Sequence, residues 1–297
     1  MENTESKSKS KSKSKSKTES KFFISLTTSP MRIGNIKKTI RSLKQQTIKA
    51  DGIFLNLPEY FERDPNKQLK YKIPLWLIKD KEITIIRTKE DYGPATKLIP
   101  SILNNDISGN DYIITVDDDI IYPKELVATF KLMIALDYKN QNQNQPNKKV
   151  YCGHGIMISD KLLPKFSPIR AHNARTQLLE GFGGACYKKE YFEGFMEYFR
   201  NCVELHRACK FADDLIVSNW LWRQNIPIHI VHTKNYSVPM WFRSGKILDY
   251  GKRNDALHAG AGNVGTNIQR YIIAKLILSK HNLFFIPNLS DFVMIQL

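Results

Sequence analysis

Long apolar runs are missing from this chain. A bilayer-spanning helix needs about 20 mostly apolar residues. The nearest approach, "YIIAKLILSKHNLFFI" from Tyr271 to Ile286, is broken by lysines and a histidine. The first residues lack the apolar core of a secretory leader. These absences point to a soluble, cytoplasmic protein with no transmembrane segment. Cysteine is scarce too. Cys152, Cys186, Cys202 and Cys209, spread over 297 residues, are too few and too scattered for a disulfide framework. Cys202, His206 and Cys209 fall within one helical stretch and lack a fourth ligand, which argues against zinc. No repeat of solenoid length is present. No recognised nucleic-acid-binding motif occurs either, so nucleic acid is not an expected partner.

Positive charge is abundant: the formal net charge is +16. Part of it is local, because serine and lysine alternate from Ser6 to Lys17. Residues 1–21 hold seven lysines against three glutamates, a net of +4, which leaves +12 for the rest. Such a tail has nothing apolar to bury, so residues 1–20 are expected to be disordered. The remaining basic body suits an anionic ligand or partner.

Order is expected from about Lys21. "FFISLTT" reads as a strand, and a helix is expected from about Pro30, with Ile33, Ile36, Ile40 and Leu43 at helical spacing. "GIFLNL" and "EITIIRT" read as the second and third strands, separated by an irregular, charged region at 58–80. "GPATKLIPSIL" reads as a helix, and "YIITV" as the fourth strand. A further helix is expected after Pro123 and a polar surface loop at "NQNQNQPN". Then come a strand at "YCGHGIMIS", a glycine-rich bend at "GFGGACY", and helices at "KKEYFEGFMEYFRNC" and "DDLIVSNWLWRQN". Alternating strands and helices predict an α/β fold with a mostly parallel central sheet flanked by helices. Ligands of such sheets bind beyond the carboxyl ends of the strands.

Three consecutive carboxylates, Asp117, Asp118 and Asp119, stand at such an end. Ionised together they repel one another, and desolvating them beside an apolar strand is costly. Something cationic is therefore expected there. In an extended segment Asp117 and Asp119 would point one way and Asp118 the other. Two converging carboxylates make a partial shell for a hard divalent ion, Mn²⁺ or Mg²⁺, which could grip a diphosphate. The competing reading is a solvated turn that caps the helix after Pro123. Asp213 and Asp214 present a similar choice, because aspartate is also a favoured helix N-cap.

A strand ending in Asp-x-Asp resembles the nucleotide-sugar site of GT-A fold (nucleotide-diphospho-sugar transferase) glycosyltransferases, family 2-like. The resemblance covers about residues 21–235. It includes "ISLTTSPMRIGNIKKTIRSLKQQT", "EDYGPATKLIPSI" and "ADDLIVSNWLWRQNIPI", the last with Asn225 where the family has glycine. It implies a GT-A catalytic domain at 21–250 and a C-terminal extension at 251–297 packing on the same domain. By the same resemblance Asp119 binds the metal, Asp117 holds ribose or metal, and Asp118 belongs to the donor site. Asp214, with Asp213 beside it, would be the catalytic base that deprotonates the acceptor hydroxyl, giving inversion. Lys97 would neutralise the donor phosphates, with Arg87 and Lys89 as nearby candidates. Thr27, Thr28 and Arg32 would contact the nucleotide, although turn and capping duties also explain the threonines. Gly183 and Gly184 would line the sugar site or simply permit a bend. His258 would be a late metal ligand, with His232 second. Trp220, Trp222 and Trp241 could stack on a sugar, whereas core packing suits the first two. "LNLPEYFERD" stands where relatives carry a base-binding aspartate.

The reading is a metal-dependent transferase, of hexosyl or N-acetylhexosaminyl class. It takes a sugar from a nucleotide-diphosphate donor to a hydroxyl on a glycan, protein or small molecule. The alternatives are a metal-dependent nuclease or phosphoryl-transfer enzyme, and a binding protein tethered to a polyanion by its lysine-serine tail.

Overall fold

The computed structural model describes residues 19–64, 66, 68–140, 148–158, 166–168, 173–231, 246–247 and 266–290. The lysine-serine tail and the "NQNQNQPN" insertion therefore lie outside the described residues, apart from their edges, as do His232, Trp241 and His258.

The strands in chain order are β1 (Phe22–Thr27), β2 (Gly52–Pro58), β3 (Ile83–Thr88), β4 (Tyr112–Thr115), β5 (Ile120–Ile121), β6 (Val150–Cys152) and β7 (Gly155–Ile158). They continue as β8 (Phe166–Pro168), β9 (Arg175–Thr176), β10 (Leu178–Leu179), β11 (Ala185–Lys188), β12 (Ile228–Ile230) and β13 (Lys246–Ile247). Among the described residues, eight of these form one sheet in the order β3-β2-β1-β4-β11-β6-β12-β9. The β3-β2-β1-β4 half is wholly parallel, and β6 and β12 also pair in parallel. β11 runs antiparallel to both β4 and β6, and β9 antiparallel to β12. The architecture is the α/β one that the GT-A resemblance implies, with a mostly parallel sheet flanked by helices.

The helices are α1 (Lys37–Lys44), α2 (Leu75–Ile78), α3 (Ile99–Leu103), α4 (Leu126–Asn140), α5 (Phe195–Leu205), α6 (Arg207–Lys210), α7 (Asp213–Arg223) and α8 (Asn267–Lys280). They cover both faces, so β1 is buried almost throughout and is apolar at four of its six positions. Phe22, Ile24 and Leu26 pack in one cluster with Ile36, Ile40 and Leu43 of the α1 region and Leu126, Val127 and Phe130 of α4. Phe23 belongs to the opposite cluster with Ile99, Phe195, Ile216 and Leu278. Ser25 interrupts that second face for a reason. Its hydroxyl donates to the Lys97 carbonyl at 2.5 Å, meets the Ser101 hydroxyl at 2.7 Å, and accepts from the Asn56 amide at 2.8 Å. That buried network fixes the 3₁₀ turn Gly93–Lys97 and α3 against β1.

Several local expectations shift. The first helix starts at Lys37 rather than Pro30, because residues 30–36 form turns closed by Arg32 and Ile33 amides on the Ser29 carbonyl. The segment 58–80 contains the short helix α2, and "YCGHGIMIS" is two strands rather than one. Trp220 and Trp222 do pack inward, their indole N–H groups donating to the Tyr191 and Gln177 carbonyls. Asn225 adopts φ 55° just beyond α7. That left-handed geometry explains why asparagine can stand in a glycine position there. His206 accepts from the Ala208 amide as the cap of α6, a structural duty unrelated to metal.

Candidate active site

A cleft of about 390 Å³ opens where β1 and β4 end. These strands diverge in connection: β1 leads towards β2 and β4 leads to the other half of the sheet, the switch point at which open α/β sheets bind ligands. Thr27, Thr28 and Arg32 line it from the β1 side, and Asp117, Asp118 and Asp119 from the β4 side. Lys97, Asp213 and Asp214 line it as well, whereas Arg87 and Lys89 do not, and His258 lies outside the described residues. Gly183 and Gly184 do not line it.

The cation expected beside the aspartates is first of all the protein's own. Arg32 donates to Asp118 Oδ1 at 3.0 Å and to Asp119 Oδ2 at 3.2 Å. Thr28 Oγ1 donates to Asp118 Oδ2 at 2.5 Å, and Thr39 Oγ1 to the Asp118 carbonyl at 2.7 Å. Lys97 Nζ meets Asp117 Oδ1 at 2.9 Å. The expected alternation therefore fails: Asp118 and Asp119 share one guanidinium while Asp117 turns to Lys97. The reason is that β4 ends at Thr115, so the triplet lies in a turn rather than an extended strand. Tyr122 braces that turn, accepting from the Asp117 amide at 2.8 Å and donating to the Phe182 carbonyl at 2.9 Å.

Burial, then repulsion from Asp118 and Asp117, pushes the Asp119 carboxyl up to about 7. Burial also raises Asp118, against the pull of Arg32 and Thr28. Lys97 behaves oppositely. Only 8 % exposed, its ammonium would be lowered by burial alone, yet Asp117, Asp213 and Asp214 hold it well above its ordinary value.

Asp213 and Asp214 occupy the first turn of α7, but the N-cap position is Ala212 and no side chain caps it. Capping does not explain them. Asp213 Oδ2 lies 3.1 Å from Lys97 Nζ. Asp214 accepts from the Gly181 amide at 3.0 Å and from the Tyr271 hydroxyl at 3.1 Å. Burial first, and then Asp213, drives its pKa well above the carboxylate range. A Cβ on Gly181 would sit 2.5 Å from Lys97 Nζ and 3.0 Å from Asp214 Oδ1, so a larger residue there would displace the Lys97 ammonium. Gly183 and Gly184 serve the wall behind. A Cβ on Gly183 would meet the His154 amide at 2.6 Å, and Gly184 has φ 78°.

Other residues of the cleft carried no recognisable signal. The buried Ser29 hydroxyl has no hydrogen-bond partner among the described residues and borders the cleft. Glu180, just before the glycine bend, pairs with buried His154 at 2.5 Å. Tyr71 donates to the Thr28 carbonyl at 2.8 Å, and Asp91 accepts from the Gly93 amide at 2.8 Å. Arg270 and Tyr271 arrive on α8, whose start is set by a Thr266–Gln269 capping box. Arg270 is 1 % exposed and donates to the Phe211 carbonyl at 3.0 Å. Nothing local marks these two, since only packing carries α8 to the cleft.

Seven carboxylates line the cleft, Asp91, Asp117, Asp118, Asp119, Glu180, Asp213 and Asp214, against four cations, Arg32, Arg63, Lys97 and Arg270. Among the described residues no group of three His, Cys, Asp or Glu side chains is gathered so that it could hold a metal ion. The chemistry of the donors nevertheless fits a hard divalent ion. They are oxygens, and carboxylates outnumber the cations of the cleft.

No family model matches the chain, and no curated protein does. Among solved structures the chain is similar to S. aureus TarS 1-349, with a TM-score of 0.43 and 13% identity over 72% of this chain and 58% of that one. The same protein in complex with UDP-GlcNAc gives a TM-score of 0.41 at 13% identity, over 72% of this chain and 56% of that one. A 4-diphosphocytidyl-2C-methyl-D-erythritol synthase gives 0.37 at 9% identity, over 74% of this chain and 93% of that one. The chain thus spans little more than half the length of the TarS chain.

Proposed function

We propose that this protein moves a sugar from a nucleotide-diphosphate donor to a hydroxyl acceptor. One observation carries the reading. Asp117 and Asp213, 96 positions apart, face each other across the single ammonium of Lys97, at 2.9 and 3.1 Å. Two acidic motifs with different duties are thereby held at one point, which is what joining a leaving diphosphate to an attacking hydroxyl requires.

In this reading Arg32 and Lys97 hold the donor's phosphates, and the buried Ser29 hydroxyl offers a further hydrogen bond. Asp117 and Asp119 would hold Mn²⁺ or Mg²⁺, which when bound supplies positive charge against the departing diphosphate. Asp214 is the base. Its raised pKa makes it a strong proton acceptor once ionised, and the Gly181 amide and Tyr271 hydroxyl fix its orientation. Asp213 stays with Lys97 and raises the basicity of its neighbour. Attack by the deprotonated acceptor on the face opposite the diphosphate gives inversion. A two-metal nuclease is less well supported, because the Lys97 ammonium fills the midpoint between the acidic motifs where a second ion would belong.

The test is a thermal-shift panel of nucleotide sugars, UDP-GlcNAc included, with and without Mn²⁺, followed by product analysis with the donor that shifts. A single donor should stabilise the chain by several degrees in Mn²⁺. A flat panel, together with phosphodiester cleavage of DNA or RNA, would end the proposal.

A further inference from the structure

Away from the cleft, the face built by α1 and α2 gathers positive charge. Residues 37–49 contain Lys37, Lys38, Arg41, Lys44 and Lys49 and no acidic residue. Asp80 and Glu82 pair with Lys44 at 2.8 and 2.7 Å. Lys37, Lys38, Arg41 and Lys49 are exposed, and Lys37 rests over the Trp76 ring at 5.7 Å. α2 turns Leu77 into the core, while Leu75 and Ile78, three positions apart and so on one side of the helix, remain 63% and 61% exposed. Lys79 and Lys81 follow, both exposed.

We propose that this face docks on an anionic lipid bilayer. Two adjacent exposed aliphatic side chains are disfavoured in water and contribute nothing to a phosphate backbone. At a lipid interface they enter the acyl boundary while the surrounding lysines meet the headgroups. Nucleic acid is disfavoured by what the patch holds: Trp76 is its one indole, half-buried with Lys37 over its ring, so a stacking platform of several aromatic side chains is not present among the described residues of this face.

The experiment is co-sedimentation of the full chain with vesicles at physiological ionic strength. The vesicles contain about one-third phosphatidylserine in phosphatidylcholine, or phosphatidylcholine alone. Binding is expected to the anionic vesicles only. The double variant Leu75→Ser with Ile78→Ser should bind roughly tenfold more weakly, and Lys79→Gln and Lys81→Gln about fivefold more weakly each. All four sites are exposed, so circular dichroism should show an intact fold. Absence of binding to anionic vesicles, or binding that ignores the serine pair, would overturn the proposal. So would tighter binding to duplex RNA that is indifferent to Leu75 and Ile78. Asp119→Asn should leave vesicle binding unchanged, so failure here and failure of the transferase reading are distinguishable.

Discussion

The cleft and the α1–α2 face are neighbours with opposite electrostatics. Arg32, in the turns just before α1, is enclosed by Asp118 and Asp119 inside the cleft. Five residues later, Lys37 begins a surface that carries cations and exposed aliphatic groups. A net charge of +16 invites the idea that the basic body exists to receive an anionic ligand at its centre. The distribution says otherwise: carboxylates outnumber cations where the chemistry is proposed, and the surplus of lysine is displayed elsewhere. Net charge is a property of the chain, whereas catalysis and docking depend on local potential.

The largest effect should come from the proposed base. Asp214→Asn should lower kcat by about 10²- to 10⁴-fold while donor-induced thermal stabilisation persists; equal loss of both would assign Asp214 to donor binding instead. Removing the shared cation is next. Lys97→Met leaves Asp117, Asp213 and Asp214 crowded without their ammonium, and should cost about 3–5 kcal/mol in urea unfolding. On the α1–α2 face, Lys38→Met should change stability by less than about 0.5 kcal/mol. Similar values for the two lysines would erase the contrast between the regions.

A third test uses pH. The Asp119 carboxyl titrates at about 7 when folded, against about 3.9 when unfolded. Between these values the folded chain keeps a proton that the unfolded chain has lost. Ligand-free stability should therefore fall as pH rises from about 4 to about 7, and stay low above that. Asp119→Asn should flatten this slope and stabilise the ligand-free chain at pH 8 by on the order of 2 kcal/mol. An unchanged slope would show that the carboxyl is already ionised. Within the cleft the smallest effect is expected of Tyr271→Phe, about 1 kcal/mol of stability from one lost hydrogen bond. Because the hydroxyl steadies ionised Asp214, its removal should also move the ascending limb of the rate profile to higher pH; a limb that stays in place would separate Tyr271 from catalysis.

The parallel half of the sheet was readable in advance, because β1 to β4 are each a local apolar run between turn-forming residues. The antiparallel half was read less well. β6, β7 and β9 to β11 are two to four residues long, too short for period-two alternation to declare itself. The same division runs through the site. Both acidic motifs stood out as carboxylate runs, and Thr27, Thr28, Arg32 and Lys97 were singled out through the family resemblance; all of them line the cleft. Ser29, Glu180, Arg270 and Tyr271 were not singled out, because their neighbours in sequence say nothing about a cleft.

From the sequence alone came the α/β alternation, the acidic triplet at the end of the fourth strand and the second acidic pair at a helix start. These are encoded within a dozen residues each, where spacing and side-chain type decide the outcome. Which cation each carboxylate meets was decided only in three dimensions. Asp118 and Asp119 turn together to Arg32 because β4 stops early, and Asp117 meets Asp213 through Lys97 because Ser25 pins the Lys97 turn to β1. Such partners are set by packing between distant segments, and no local pattern carries that information.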